Sequence, residues 1–492
     1  MPLARAGPAL LLAVLALLGG GCAHYPINPR LPSISSTAGY RYSVVRPLPS
    51  GDRPFVLLGF SGGGTRAAAF SFGLMEELRR VEYTARDGTR RRLLDDVEII
   101  SSVSGGSFTS TYYALYPDTF FADFPDRFLY RNIESGLLWR LFNPYNWFRF
   151  ASSDFSRIDM AEEYYGATVF DGKTFADLLA APKGKVPFLV LNATDISIAH
   201  RFEFSQDQFD LLCSDLSGLS LSRAVAASSN FPVAFAPLTL DVYQEPCGPL
   251  PPWIELGMDR ERNPDKRRIA DATAAHSYRE ADRRFVHLLD GGLSDNLGLR
   301  GPLQAVTTTD SPWSILRLAN LDQVGQLIVI AANAKTTKPR SWDKRSAPPG
   351  IGSVLDVTLN GPMDDVSFDS IEMVDGHFTQ MRQLSRTVDS CNKRMGQYCP
   401  SAPRIANPIQ TDFTFSALAF DDIPDPRLRR CLQELPTSFS LPRETVDLLR
   451  AAAGYLLMNS ADFVAGMKRL DPSWQARPVP ISEQLVDAVC GT

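Results

Sequence analysis

Residues 55–72 have the sequence FVLLGFSGGGTRAAAFSF, and this stretch indicates the fold more clearly than any other part of the chain. Its first six residues form a continuous apolar run, which is typical of a strand buried on both faces of a sheet. Glycines follow at 62–64, and residues 65–81 predict a helix. A buried strand, a tight glycine turn and a helix in succession indicate an α/β protein.

The same pattern recurs further along the chain. Residues 97–102 predict a second strand, which is again followed by a sharp glycine turn and a helix. Further core strands are predicted at 186–192, 285–289 and 326–332, and an amphipathic helix at 441–457. Repeated strand–turn–helix units predict a parallel or mixed sheet with helices on its faces.

The composition is that of a folded protein with no nucleic-acid partner. Of the 492 residues, 44% are hydrophobic and 21% are charged, and the net charge is −5. Mild acidity argues against nucleic acid as the main partner, and no run of like charge predicts a polybasic membrane patch. The cysteines show no CxxC spacing beside a histidine cluster, so neither a zinc site nor another metal is predicted.

The N-terminus has the features of an export signal. Arg5 precedes an apolar run at 9–18 that is too short to span a bilayer, and Gly-Gly-Gly-Cys follows at 19–22. Small residues before Cys22 resemble a bacterial lipoprotein processing site, although Gly19 stands where a larger aliphatic residue is usual. We expect a signal peptide at 1–21, a lipidated Cys22 and an extended tether over 22–50. The alternative is an ordinary cleaved signal with an incidental cysteine.

Six further cysteines make an even set that an exported protein could pair. They are Cys213, Cys247, Cys391, Cys399, Cys431 and Cys490. The short spacing makes Cys391–Cys399 the expected local bridge, and single thiols are the alternative.

Three glycine-containing turns carry the residues that could do chemistry. The first, at 59–66, combines Gly62, Gly63 and Gly64 with Arg66. Successive glycines at the start of a helix let backbone N–H groups point into one volume, which suits an oxyanion or a phosphate. A dinucleotide site would need an acidic residue at the end of the next strand, where this chain has serines at 101 and 102.

The second turn, at 102–106, approximates the nucleophile elbow G-x-S-x-G with Ser104 at its centre. Ser102 replaces the first glycine, and Gly105 and Gly106 supply the small residues that the turn requires. A helix beginning near residue 107 would direct its positive end at Ser104. An ordinary glycine turn remains the alternative for this pentapeptide alone.

The third turn places Asp290 at the end of an apolar strand, followed by Gly291 and Gly292. A desolvated carboxylate can act as the base for a serine. His287 precedes Asp290 by three residues on the same strand, so the two side chains should face opposite ways. The remaining histidines (His24, His200, His276 and His377) have no recognisable catalytic setting. We therefore expect a Ser–Asp dyad without histidine.

In this order, the three turns resemble the patatin-like phospholipase family. The resemblance implies that the glycine loop with Arg66 is the oxyanion hole, Ser104 the nucleophile and Asp290 the base, with no cofactor. In this loop Arg66 would either lend positive charge or lock the loop in place. Residues 192–195 with 201–204, and residues 224–232, resemble segments that pack beneath the family's active site. The resemblance also implies a three-layer α/β/α sandwich with a mostly parallel sheet, helical insertions and a helical C-terminal extension.

The expected organisation is a catalytic domain at 51–400, matching most strongly over 54–302, and a C-terminal extension at 401–492 packed on it. Residues 255–284 are predicted to be a charged insertion that forms a solvated loop. The aromatic-rich insertion at 116–165 could form the core of a helical subdomain, line an acyl pocket or lie at a membrane surface.

The resemblance implies a serine acyl hydrolase that acts on phospholipids, lysophospholipids or simpler lipid esters through an acyl-enzyme. A bacterial lipoprotein anchored on the outer-membrane or periplasmic side would hold this site beside its lipid substrate. Two alternatives are a membrane-tethered protein that binds lipid without turnover, and a nucleotide-binding enzyme that uses the glycine loop.

Overall fold

The computed structural model describes residues 28–47, 53–152, 155–232, 235–261, 266–307, 324–337, 342–344, 346, 348–407 and 411–491. The predicted signal peptide and Cys22 lie outside these residues. Within them, no helix is both long enough and apolar enough to cross a bilayer.

Most of the strands form one mixed sheet. The strands are β1 (Phe55–Phe60), β2 (Glu82–Thr84), β3 (Arg90–Arg92), β4 (Val97–Val103), β5 (Phe188–Asp195), β6 (His200–Glu203), β7 (Leu238–Asp241), β8 (Phe285–Asp290), β9 (Gln326–Asn333) and β10 (Asp412–Ala419). The sheet order is β10-β9-β1-β4-β5-β8-β7, with β6 paired to β5. The neighbouring strands from β10 to β5 pair in parallel. The other three pairs, β5–β6, β5–β8 and β8–β7, are antiparallel.

Helices connect these strands. They are α1 (Tyr42–Val45), α2 (Gly64–Arg80), α3 (Gly105–Leu115), α4 (Phe120–Phe124), α5 (Ile133–Leu141), α6 (Pro144–Phe150), α7 (Arg157–Tyr165), α8 (Phe175–Leu179), α9 (Gln206–Leu211), α10 (Leu221–Ser228), α11 (Pro252–Met258), α12 (Lys266–Ser277), α13 (Gly292–Asp295), α14 (Arg300–Thr307), α15 (Ile351–Tyr398), α16 (Pro426–Gln433), α17 (Arg443–Asn459), α18 (Ala461–Leu470) and α19 (Glu483–Cys490). The predicted strands at 55–60, 97–102 and 285–289 match β1, β4 and β8 to within a residue.

Two apolar cores lie on opposite faces of the sheet, and β1 contributes to both. Val56, Leu58 and Phe60 pack into the larger core, whereas Phe55 and Leu57 pack into the smaller one. This alternation follows from the period of two along a strand. Helices α2, α3 and α17 cover the first face, and α14 and α15 cover the second. The predicted three-layer α/β/α sandwich is confirmed.

The C-terminal region completes the sheet rather than only packing on it. Strand β10 pairs in parallel with β9 along its full length, although this region was expected to be helical. Helix α17 packs against α2, where a Cβ at Gly73 would lie 2.3 Å from the Arg450 carbonyl oxygen. Residues beyond 401 therefore support the helix that begins at the glycine loop.

The described part of the predicted tether is not extended away from the domain. Tyr40 is buried, stacks on Phe188 and accepts a hydrogen bond from the Leu189 amide through its hydroxyl. Arg41 is buried in an ion pair with Asp210. The tether prediction is therefore wrong for 28–47, because aromatic and ionic side chains within a Pro- and Ser-rich segment bind it to the domain.

Two other expectations are also wrong. In the described part of 255–284, α12 and the end of α11 replace the predicted loop, and alanines of α12 are buried. Cys391 and Cys399 are free and exposed. They are eight residues apart along the end of α15, and a rise of about 1.5 Å per residue separates them by roughly 12 Å, too far for a disulfide. The bridges are Cys213–Cys247 and Cys431–Cys490.

Candidate active site

Ser104 lies on a strained turn between β4 and α3. Its backbone has φ 50° and ψ −119°, a conformation that residues other than glycine rarely adopt. Helix α3 begins at Gly105, so its positive end lies beside the Ser104 hydroxyl. This is the geometry of a nucleophile elbow, in which a serine oxygen projects from a strand-to-helix turn.

Gly105 and Gly106 are required because the glycine loop crosses directly against them. A Cβ at Gly105 would lie 2.0 Å from the Gly64 carbonyl oxygen, and one at Gly106 would lie 2.7 Å from the Phe60 Cβ. Ser102 stabilises the elbow from within, because its hydroxyl is 2.7 Å from that of Ser110 on α3. These small residues hold the elbow and the loop in contact.

Asp290 ends β8 and faces the same volume as Ser104. Both side chains are buried, with 3% and 8% of their residue surfaces exposed. Burial raises the pKa of the Asp290 carboxyl to about 6, and this rise is partly offset by the hydrogen bond from the Gly292 amide, at 2.8 Å, and by the nearby Ser104 hydroxyl. The carboxyl can therefore exchange a proton with Ser104 near neutral pH.

Glycine is needed at positions 291 and 292 because other chain segments approach the backbone there. A Cβ at Gly291 would lie 2.4 Å from the Asn192 carbonyl oxygen, and one at Gly292 would lie 2.2 Å from the Met363 methyl carbon. Met363 belongs to α15, so this long helix covers the turn after the Asp290 carboxylate.

The glycine loop offers free amides, but not all those predicted. Gly63 and Gly64 have φ of 137° and 61°, and within the described residues no acceptor is hydrogen-bonded to their N–H groups. The Gly62 amide instead donates to the backbone and side-chain oxygens of Asn296, each at 3.1 Å. The expectation that Gly62 is an oxyanion donor therefore does not fit this structure.

Arg66 holds the glycine loop in place. Its guanidinium is buried and donates to the carbonyl oxygens of Ala334 and Leu435 and to the hydroxyl of Thr437. Burial lowers its pKa to about 10. Of the two roles considered for Arg66, the structure supports the structural one.

The two further motifs pack beneath the site, as expected. The Ser228 hydroxyl accepts the Ser104 amide at 3.0 Å, and the carbonyl oxygens of Ser228 and Asn230 accept the amides of Gly291 and Asp290. The segment at 228–230 therefore joins the nucleophile turn to the aspartate turn.

Asn192 and Thr194 on β5 extend this support. The side-chain amide of Asn192 donates to the Ser101 hydroxyl at 2.9 Å. The Thr194 hydroxyl donates to the backbone carbonyl oxygen of Asp290 at 2.8 Å.

Sequence reasoning missed three supporting residues: Ser228, Asn296 and Ser438. The Ser438 carbonyl oxygen accepts the Thr65 amide at 2.9 Å and would be 2.4 Å from a Cβ at Gly64. Ser228 lies in the segment 224–232 that the sequence had already indicated, and only its contacts were unknown.

His287 and His200, which lie on strands β8 and β6 of the sheet, have other partners. The Nδ1 of His287 is 3.0 Å from the Thr239 hydroxyl, and His200 pairs with Asp271. His287 faces away from Asp290, as the strand period predicts.

The sequence of the chain matches a known protein family. The model of the patatin-like phospholipase family matches residues 58–303, half of the chain. No curated protein matches it significantly.

Solved structures show weaker likenesses. Human GIVD cytosolic phospholipase A2 matches 60% of this chain at 13% identity with a TM-score of 0.35, and the chain spans only 49% of that protein's length. VipD from Legionella pneumophila matches 87% of this chain and 71% of its own at 10% identity, with a TM-score of 0.25. These TM-scores are low, and the sequence match carries the assignment. The chain belongs to the patatin-like phospholipase family.

Proposed function

We propose that this protein is a serine acyl hydrolase that cleaves fatty-acyl esters of phospholipids or lysophospholipids with Ser104 and Asp290. Family membership indicates a lipid hydrolase in the broad sense. The observation that supports the dyad is the contact of a strained, elbow-borne serine with a buried carboxyl whose pKa is raised to about 6.

The proposed reaction has two halves. The Ser104 oxygen attacks the ester carbonyl carbon while Asp290 takes the hydroxyl proton, and the N–H groups of Gly63, Gly64 and Gly105 stabilise the resulting oxyanion. The carbon–oxygen bond to the alcohol breaks as Asp290 returns the proton to the leaving oxygen. Water, deprotonated by Asp290, then attacks the acyl-enzyme; the bond to the Ser104 oxygen breaks as Asp290 returns the proton to it, and the fatty acid is released. These steps need no cofactor.

Fatty-acid release from mixed phospholipid and lysophospholipid micelles tests this proposal. The wild type should release fatty acid, and folded Ser104→Ala and Asp290→Asn should lose nearly all activity. Ser401→Ala and Asp282→Asn change the same residue types at exposed positions and should keep full activity. Wild-type activity in both dyad variants would contradict the assignment.

A fluorophosphonate probe separates hydrolysis from lipid binding without turnover. The probe should label the wild type on Ser104 and leave Ser104→Ala unlabelled. A wild type that binds micelles but neither reacts with the probe nor releases fatty acid would favour the non-catalytic alternative.

We also propose that the chain is an exported bacterial lipoprotein, acylated at Cys22 and held on the outer-membrane or periplasmic side. The leader pattern supports this, and so do two disulfides, which persist in oxidising compartments. Labelled palmitate should enter the wild type but not Cys22→Ser, and the variant should leave the membrane fraction. Equal labelling of both would contradict lipidation at this cysteine.

A further inference from the structure

An exposed aromatic patch lies on α5, α6 and the turn between them. Its large side chains turn outward, with exposed fractions of 80% for Trp139, 66% for Phe142, 67% for Tyr145 and 82% for Phe148. Leu138 and Trp147, each about half exposed, complete it. We call these six residues the aromatic patch.

The exposure of the patch does not come from weak packing of the insertion. Helix α5 buries Ile133 and Leu137 on its inner side, and a Cβ at Gly136 would lie 2.0 Å from the Tyr164 hydroxyl of α7. Earlier in the insertion, Phe120, Phe124 and Phe128 are fully buried. The insertion therefore has its own core, and a second apolar face is left over; such clustered exposure marks an interaction surface.

The charges around the patch suit phosphate groups. A cleft of about 550 Å³ opens among the aromatic rings and contains Arg140, Arg149 and Glu163. Arg149 pairs with Glu163, which is the one carboxylate that lines the cleft among the residues the structure describes, and so neutralises it. Arg140 lies over the Tyr164 ring and, within the described residues, pairs with no carboxylate. Trp and Tyr rings with an uncompensated arginine match the interface between acyl chains and phosphate headgroups.

The start of the patch helix α5 is joined to the glycine loop through hydrogen bonds to residues 438–439. At the start of α5, the Ile133 amide donates to the Phe439 carbonyl oxygen at 3.2 Å, and Glu134 accepts the Ser438 hydroxyl at 2.8 Å. The Ser438 carbonyl oxygen in turn accepts the Thr65 amide beside the free Gly64 N–H. Residues 438–439 therefore contact both the start of α5, which carries part of the patch, and the glycine loop.

We propose that the aromatic patch docks the protein onto a phospholipid bilayer and seats the active site at the lipid surface. This inference rests on the proposed function, since its benefit is delivery of lipid esters to Ser104. Docking by the patch is separate from any anchor at Cys22: the anchor would retain the protein, whereas the patch would orient it.

Quenching of tryptophan fluorescence by bromine on the acyl chains tests the proposal. Full-length Ser104→Ala is bound to vesicles of phosphatidylethanolamine and phosphatidylglycerol with brominated acyl chains. We expect strong quenching of the tryptophan fluorescence. This quenching should be lost in the double variant that carries both Trp139→Phe and Trp147→Phe. Phe148→Ala should lower the ratio of docked to undocked protein roughly tenfold, the effect of losing one buried aromatic side chain. Tyr398→Ala, an aromatic residue of similar exposure outside the patch, should change nothing.

The alternatives give different results. Vesicle-bound protein without quenching would overturn the proposal. A dimer in lipid-free solution that dissociates on Phe148→Ala would also overturn it, because the patch would then be a contact between two copies. Shielding of Trp139 from a water-soluble quencher in the lipid-free monomer would overturn it too, because the patch would then not be exposed. Since docking is measured without turnover, failure of the hydrolase proposal would instead appear as an inactive wild type with normal quenching.

Discussion

Gly105 is the position where one added methyl group tests the active-site geometry most directly. A Cβ there would lie 2.0 Å from the Gly64 carbonyl oxygen and 2.7 Å from its carbonyl carbon. Because such contacts do not persist below 3.0 Å, the elbow and the glycine loop must separate by at least 1.0 Å in Gly105→Ala.

The expected loss of rate follows from this displacement. A shift of about 1 Å in a catalytic group costs about 10² in rate, and loss of an oxyanion donor costs about 10²–10³. Forcing a methyl group into a packed site also costs about 1–3 kcal/mol of unfolding free energy. We therefore expect kcat for a short monomeric ester to fall at least about 100-fold in Gly105→Ala, with little change in KM.

Hydrolysis of p-nitrophenyl butyrate, followed beside thermal unfolding, measures both effects. Gly218→Ala is the matched control, since its added Cβ meets no atom within 4 Å and its backbone φ is not left-handed. A folded Gly105→Ala with kcat within a factor of about three of the wild type would refute the inferred contact between the turns.

Four further predictions follow from the same structure. Asp290 must be ionised to accept the proton, and its pKa is about 6. The value of kcat/KM for a neutral ester should therefore rise with pH to a plateau above about pH 6. A flat profile from about pH 5 to about pH 8 would exclude Asp290 as the base. The raised pKa also means that the folded state binds this proton more tightly than the unfolded chain, so its contribution makes stability fall as pH rises from about 4 to about 6. At pH 7, Asp290→Asn should therefore have a free energy of unfolding roughly 3 kcal/mol higher than the wild type and a higher melting temperature. A lower melting temperature would contradict the burial argument. Ser228→Ala leaves the Ser104 amide without its acceptor, so kcat should fall about tenfold and stability by about 1–3 kcal/mol, whereas a change in KM alone would argue against a positioning role. Cys431→Ser should lower the free energy of unfolding in denaturant by about 4 kcal/mol, while Cys391→Ser, at a free exposed thiol, should match the wild type; equal effects would contradict the Cys431–Cys490 pairing.

The supporting contacts of the site lay outside what the sequence could predict. Ser228 is 124 residues from Ser104, and Asn296 is 234 residues from Gly62. Nothing in the local pattern around either residue indicates its partner, because contacts between distant segments depend on how the chain is threaded through the sheet. The Gly62 amide was assigned to the oxyanion for the same reason, as its pairing with Asn296 arises only when the loop and the third turn meet.

The cysteines and the aromatic insertion show the same limit. Proximity in sequence favoured Cys391–Cys399, but a helix separates these residues, and tertiary packing brings Cys431 to Cys490 instead. In the insertion, the composition fits both a core and a surface. The fold buries Phe128 and exposes Phe148.

The sequence by itself determined the α/β class, the main strands and the three turns that carry Ser104, Asp290 and the glycine loop. It could do so because strand burial, helix periodicity and the need for glycine in tight turns are local properties of the chain. Only the tertiary structure decided which amides remain free, which side chains brace the elbow, how the cysteines pair and which aromatic rings face solvent. Each of these depends on segments that are distant in sequence and meet only in the folded protein.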